Sequence, residues 1–206
     1  MKAKLKRIRR RFRQWRRKAR ADLEKRIARR KRRRDNRIEQ VKDHGREFRM
    51  FDSVDISQIP ESAEAVAGYV NGYWPTYRDV EKFWPHAKRL SIAVTASADA
   101  DCLDIEPGDA TPGEAPEWVR RQQRRGVKQP VLYCSLSRVM SVLQHLDNNG
   151  IKRSEVRLWV AHYTHEPHRC GPSCGMAMPT KADATQFTDH SGGRSLDESL
   201  CGPGFL

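Results

Sequence analysis

The first glycine of the chain is Gly45, the first proline is Pro60, and the residues before them are dominated by cations. Residues 1–50 hold 24 Lys/Arg against 6 Asp/Glu, an excess of 18 positive charges; residues 51–206 hold 16 against 20, an excess of 4 negative charges. One hydrophobic core cannot extend across that division, because charged side chains are almost never fully buried unless paired. The chain is therefore expected to have two parts: a basic arm over residues 1–46 and a mildly acidic domain over residues 47–206. The overall net charge of +14 and the isoelectric point near 10.0 describe the arm and say little about the domain.

Within the arm, Leu5, Ile8, Phe12, Trp15, Ala19, Leu23 and Ile27 recur at spacings of three and four. That spacing predicts one long amphipathic helix over residues 2–44, roughly 60 Å in length at ~1.5 Å per residue. Its like charges repel, so the helix is expected to form on meeting a polyanion. An anionic membrane surface suits Phe12 and Trp15 on the apolar stripe, and nucleic acid suits the phosphate-neutralising charge. No apolar segment follows the basic N-terminus as in a signal peptide, and Arg9-Arg10-Arg11-Phe12 fails as a twin-arginine signal for the same reason. No stretch has the apolar length of a membrane span. Synthesis in the cytoplasm without a transmembrane segment is the expectation.

Beyond Gly45, short apolar runs are separated by helical or irregular stretches. The runs are Phe48–Val54, Ala65–Val70, Leu90–Ala96, Cys102–Ile105, Pro130–Cys134, Val156–His162 and Ala184–Phe187. Ala115–Arg125 and Ser137–Asn148 are helical in pattern, and Gly126 and Gly150 stand where helices stop. Strand, helix, glycine and strand in repetition predict an α/β fold with a parallel sheet or a TIM-like β/α barrel. One junction conflicts with a full set of βα units. Too few residues separate Ser91–Ala96 from Cys102–Ile105 for a helical crossover. The two are therefore expected to form a hairpin, or one of them to be irregular, and the barrel to be incomplete on its helix side.

The segment Leu103-Asp104-Ile105-Glu106-Pro107-Gly108-Asp109 carries the most chemistry. Residues two apart on a strand share a face, so Asp104 and Glu106 project together while Leu103 and Ile105 face an apolar layer. Two neighbouring carboxylates raise one another's pKa and cost stability. At the C-terminal end of a barrel strand the same pair supplies a proton held near neutral pH beside an ionised partner. An exposed edge strand with solvated acids accounts for the spacing equally well. Asp52 ends the first run, and Asp197 follows the Gly192-Gly193 turn. Tyr69, Tyr73, Trp74, Tyr133, Trp159 and Tyr163 fall near strand ends, where they would stack on sugar rings or serve as core and rim.

The five cysteines are an odd number and exclude a complete disulfide framework. Cys102 and Cys134 lie in apolar runs and read as buried thiols. His165, His168, Cys170 and Cys174 fall within one short segment. Zinc accepts those ligand types, although the spacing fits no standard structural site. A Cys170–Cys174 disulfide and two free thiols are the alternatives, and neither metal nor cofactor is assigned to the site.

Several strings resemble family-25 glycoside hydrolases, the lysozymes with an incomplete β/α barrel. Leu158-Trp159-Val160-Ala161-His162-Tyr163-Thr164 is similar to their Leu-Trp-Ile-Ala-His-Tyr strand, and Asp104-Ile105-Glu106 to their Asp-x-Glu acid strand. Pro130-Val131-Leu132-Tyr133-Cys134-Ser135 is similar to their Pro-x-x-Tyr-x-Ser strand. Gln186-Phe187-Thr188 followed by Asp197 resembles their closing Gln-Tyr-Thr…Asp, and Asp52 matches the aspartate ending their first strand. The order of motifs also resembles an uncharacterised branch of glycoside-hydrolase-like domains from actinobacteria and their phages. The chain departs from the lysozymes at Ser91–Ala96, which offers small residues where they place aromatic and His side chains.

The resemblance implies that Glu106 is the acid, with Asp104, Asp52 and Asp197 around the reacting sugar. Tyr69, Tyr133, Trp159, Tyr163 and Gln186 are then expected in the groove. The leading expectation is a glycosidase of cell-wall glycan such as peptidoglycan, acting at the envelope as a phage lysin, with the arm on an anionic wall polymer or membrane. A non-catalytic glycan- or envelope-binding virion protein on the same fold is the alternative. A nucleic-acid-binding protein working through the arm is the third.

Overall fold

The computed structural model describes residues 45–175 and 178–206. The helix expected over residues 2–44 lies outside the described residues. The globular unit spans Arg46–Leu206. It is an α/β barrel of eight strands: β1 (Phe48–Asp52), β2 (Ala65–Tyr69), β3 (Lys88–Ala93), β4 (Cys102–Asp104), β5 (Val131–Ser135), β6 (Arg157–Ala161), β7 (Ala184–Thr188) and β8 (Asp197–Cys201). Strands β1 to β7 pair in sequence order and in parallel, and β8 lies antiparallel between β7 and β1, closing the cylinder.

The expectation of an incomplete barrel therefore does not hold for the sheet. What is partial is the helical coat. Among the described residues, α-helices follow three strands: α1 (Tyr77–Phe83) follows β2, α2 (Ala115–Arg124) follows β4, and α3 (Val139–Asn148) follows β5. None of these helices is long and apolar enough to cross a membrane. Gly126 and Gly150 take positive φ (98° and 69°) just past α2 and α3. There the backbone N–H groups of Val127 and Ile151 reach back to the carbonyls of Gln122 and Leu146. A left-handed residue is needed for that reach, which is why glycine stops both helices.

The strands are buried on both faces, and their alternation sorts side chains into two layers. Met50, Leu90, Ile92, Tyr133, Trp159 and Cys201 belong to one cluster, the filling of the barrel. Leu103, Ile105, Leu132, Cys134, Leu158 and Val160 belong to a second, packed with Trp118 and Val119 of α2 and Val139, Val142 and Leu146 of α3. Leu103 and Ile105 thus face the helical layer as the spacing predicts. Cys102 and Cys134 are buried thiols on opposite faces of the sheet.

The junction between β3 and β4 corrects the sequence reading. The two are adjacent parallel strands, neither a hairpin nor out of the sheet, joined by residues 94–101 without a helix. The reason is stagger. Cys102 pairs with Ile92 and Leu103 with Ala93, so β4 begins beside the last residues of β3. The chain backs up by only a residue or two, and the long crossover required by in-register parallel strands is not needed. The short loop is held at both ends. The Asp101 carboxylate accepts from the Ser91 backbone N–H (3.1 Å) and hydroxyl (2.6 Å). Trp118 of α2 donates its indole N–H to the Ala98 carbonyl at 2.9 Å, and Arg121 and Gln122 reach Asp99 at 3.0 and 2.9 Å.

Two elements had no forecast in the sequence. Strand β8 has no apolar alternation, because its inward residues are Asp197, Ser199 and Cys201. Helix α1 is short and buries only Val80. Trp118 is fully buried, fills the layer between α2 and the sheet, and anchors the β3–β4 loop. Trp118→Ala is expected to destabilise the domain by about 3–5 kcal/mol in urea unfolding, with a largely unchanged m-value.

Candidate functional site

In a parallel barrel the C-terminal strand ends share one mouth. Asp52 is the last residue of β1, Tyr69 of β2 and Asp104 of β4. Because β8 runs the other way, its first residue, Asp197, lies at that same mouth, paired with Asp52 in the ladder. Glu106 lies two residues beyond Asp104. The Ile105 backbone N–H still donates to the Tyr133 carbonyl at 2.9 Å, so the extended course of β4 continues and keeps the two acids on one face. The four carboxyl groups converge at one end of the barrel.

Their environment is desolvated and short of cations. Asp104 is 5% exposed and one of its oxygens, Oδ1, has no hydrogen-bond partner. Burial first, then the charges of Glu106 and Asp109, push its carboxyl up to about 8. Glu106 is half-buried and also raised, by burial and then by Asp109, with Arg138 opposing. Asp52, 2% exposed, is held well above the usual carboxylate range by burial and then by Asp197. Burial pushes Asp197 up to about 6, while its hydrogen bond with Asp52 works the other way. Protonated Asp52 donating to ionised Asp197 satisfies both signs. Asp52 Oδ2 is buried without a hydrogen-bond partner, which further opposes ionisation of this carboxyl. The mouth thus holds two pairs, Asp52/Asp197 and Asp104/Glu106, each retaining a proton near neutral pH.

Beside these acids lies an open cleft of about 360 Å³, lined by Tyr69, Tyr73, Trp74, Asp104, Glu106 and Asp109, with Val54, Asn71, Gly72, Val94, Thr95 and Gly108 completing the wall. Tyr73 (96% exposed) and Trp74 (64%) present bare aromatic faces at its rim. Asn71 fixes the wall between β2 and β3, accepting from the Val94 N–H at 2.9 Å and donating to the Thr95 hydroxyl at 2.7 Å.

The remaining expected residues divide by depth. The Tyr133 hydroxyl donates to Gln186 Oε1 at 2.5 Å, and the Gln186 side chain also bonds Asp197. Tyr163 is half-exposed, and its hydroxyl bonds that of Tyr133. Trp159 lies in the barrel filling, 1% exposed, its ring tilted against that of Tyr133 with centroids 4.6 Å apart and its indole N–H donating to Ser199 Oγ at 3.0 Å. A ligand in the cleft cannot touch it, so Trp159 serves as the floor that supports Tyr133. Asp109, Asn71 and Arg138 were missed by sequence reasoning. Asp109 stands in the same string as the acid pair, three residues past Glu106, and that was the available signal. Asn71 and Arg138 carry no spacing signature.

The raised carboxyls have a consequence for stability. Asp104 ionises near its ordinary value of 3.8 in the unfolded chain and near 8 in the folded one. Its contribution is fully present below pH ~4 and is lost as pH rises through about 8. Asp104→Asn, neutral throughout, is expected to melt with wild type at pH 4 and above it by about 3 °C or more at pH 8, in thermal unfolding across that range. A constant difference at all pH values would refute the desolvation argument.

No protein-family profile matches the sequence, and no curated protein matches it. Among solved structures, the chain is similar to the crystal structure of the Clostridium perfringens spore cortex lytic enzyme SleM. The two are 14% identical, with 77% of this chain and 68% of that chain covered and a TM-score of 0.48.

Proposed function

We propose that this chain is a glycoside hydrolase acting on a cell-wall glycan of the peptidoglycan type, using the Asp104/Glu106 pair as its acid. The observation that carries the reading is the convergence of four desolvated carboxyls, in two proton-sharing pairs, at one barrel mouth beside a cleft rimmed by bare aromatic faces. Cleavage of a glycosidic bond needs a proton for the departing oxygen and negative charge beside the developing oxocarbenium ion. Glu106 is the half-buried acid that lines the cleft, so it reaches the leaving oxygen. Asp104 lies deeper and keeps its proton to higher pH, so the pair shares a proton that Glu106 can deliver. Asp197, backed by the buried Asp52, holds a sugar hydroxyl or a water from the opposite side of the mouth, oriented by Gln186 and Tyr133. Tyr73 and Trp74 offer stacking faces to neighbouring sugars, the apolar part of glycan recognition. The basic residues 1–44 would concentrate the enzyme on an anionic envelope by charge, an attraction that salt weakens. Action at the envelope as a phage lysin belongs to the same proposal.

The decisive variant is Glu106→Gln. Release of new reducing ends from purified cell walls is expected to fall by about 100-fold or more, with the melting temperature little changed. Walls that bind the chain while wild type releases no reducing ends would replace the proposal with a glycan-binding module. For wild type, kcat/KM is expected to rise as Asp197 ionises near pH 6 and to fall as the Asp104/Glu106 proton is lost near pH 8, giving a bell between them. A profile still climbing above pH 9 is incompatible with a carboxylic acid as the proton donor.

A further inference from the structure

Residues 162–183, between β6 and β7, form a long connection, and among the described residues their regular structure is a single 3-10 turn, Pro172–Cys174. Connections of that length without structure of their own are uncommon in compact domains and call for some internal tie. The tie here is a cluster of side chains. His162, His168, Cys170 and Cys174 bring one ligand atom each to within 4.8 Å of all the others. His162 Nδ1 lies 3.0 Å from His168 Nε2, and Cys170 Sγ lies 3.3 Å from the former and 3.8 Å from the latter.

We infer that His162, His168, Cys170 and Cys174 form a closed, four-coordinate structural zinc site that clamps the β6–β7 loop. The spacings are the first support. With zinc about 2.3 Å from sulfur and about 2.0–2.1 Å from nitrogen, the edges of a tetrahedron are about 3.3 Å for N–N, 3.6 Å for N–S and 3.8 Å for S–S. The separations among His162, His168 and Cys170 (3.0, 3.3 and 3.8 Å) fall close to those edges, and Cys174 lies within 4.8 Å of each of them. The second support is independent of the cluster's own contacts. His168 Nδ1 lies 2.9 Å from the Glu166 carbonyl, and a carbonyl only accepts. His168 therefore carries its proton on Nδ1, and the lone pair of Nε2 is aimed into the cluster. A ring oriented from behind by a backbone carbonyl is the usual arrangement of a zinc-bound imidazole. Cys170 is fully buried and its backbone N–H donates to Thr185 Oγ1 at 2.8 Å, which fixes the third ligand against β7. Cys174 is brought round by the turn in which its N–H donates to the Gly171 carbonyl at 2.9 Å. Both thiols are free rather than bridged.

Four protein ligands leave no open position, so the ion is structural and takes no part in bond cleavage. Binding releases the two thiol protons and transfers the His162 proton from Nδ1 to Nε2. His165 is not a ligand. Its Nδ1 is paired with Thr188 Oγ1 at 3.0 Å, and the place assigned to it by sequence proximity is taken by His162, the last residue of the Trp-Val-Ala-His string.

The inference is independent of the glycosidase proposal, and its test reads metal rather than activity. The full chain, purified under reducing conditions without chelator and then incubated with zinc and desalted, is expected to hold about one zinc per chain by mass spectrometry. Cys170→Ser/Cys174→Ser and His162→Ala are expected to hold less than about a tenth of that, and His165→Ala to hold as much as wild type. A chelator is expected to lower the melting temperature of wild type and of His165→Ala. Cobalt(II) in wild type provides a reading that does not depend on folded variants. Intense tetrahedral bands with thiolate-to-cobalt charge transfer support the site, and a weak octahedral spectrum overturns it. Wild type without zinc, zinc retained in the double-serine variant, or a Cys170–Cys174 disulfide in the freshly purified chain would each overturn it as well.

Discussion

The pairing of β8 with both β7 and β1 is the constraint on which the rest of the domain depends. Seven parallel strands leave two open edges, each with a row of unpaired N–H and C=O groups. One antiparallel strand satisfies both, matching Phe48 to Cys201 through Asp52 to Asp197 on one side and Ala184 to Cys201 on the other. Reversal of direction has a chemical result. The parallel strands contribute their final residues to the mouth, whereas β8 contributes its first, so Asp197 meets Asp52 across a ladder rung. The pleat then sends Ser199 and Cys201 downward into the barrel, where Ser199 accepts from Trp159. Closure and the composition of the site follow from one strand register.

Burial at the mouth has an energetic cost, and desolvation is its main source. For Asp52, Asp104, Glu106 and Asp197 alike, desolvation is the largest cause of the raised pKa, ahead of the neighbouring charges. Removing a carboxylate from water without a partner opposes its ionisation, so the acids retain protons in place of forming ion pairs. The ion pairs of the domain lie elsewhere: Asp99 takes Arg121 and Arg125, and Asp183 takes Arg153. Arg138 is the cation that acts on Glu106, and it offsets only part of the shift. A fold selected for stability alone would replace these acids with amides or apolar groups. Keeping four of them desolvated at one opening is a cost that the proposed proton-donor role would account for.

The sequence was most legible where one physical signal dominated. Apolar runs located β1 to β7 to within a few residues, Gly126 and Gly150 located two helix ends, and the two-residue spacing of Asp104 and Glu106 placed both on the barrel side of the sheet. Legibility failed where the signal depends on partners distant in the chain. β8 is polar on its inner face because it lines the mouth, so its pattern gave no period of two. The stagger that allows β3 and β4 to be neighbours is a property of the closed cylinder and leaves no mark on residues 94–101. Trp159 stood in the right string and at the right end of a strand, yet the pleat and the Tyr133 ring above it make it floor rather than wall. The reach of His162 into the next loop could not be separated from its membership of the strand motif.

That last ambiguity links the loop to the mouth. Successive residues leaving a strand point in opposite directions, so His162 and Tyr163 diverge from β6. His162 turns to His168 and Cys170, while Tyr163 turns to Tyr133, whose hydroxyl is bonded to Gln186 and through it to Asp197. Among the described residues no α-helix belongs to this connection, unlike the connections after β4 and β5. Tyr163 is held at the rim by its hydroxyl contact with Tyr133 and by its neighbours, whose backbone N–H groups at His162 and His165 donate to the Gln186 and Phe187 carbonyls of β7, both at 2.9 Å. The strand end acts as a lever with a fixed loop on one arm and the polar rim of the mouth on the other.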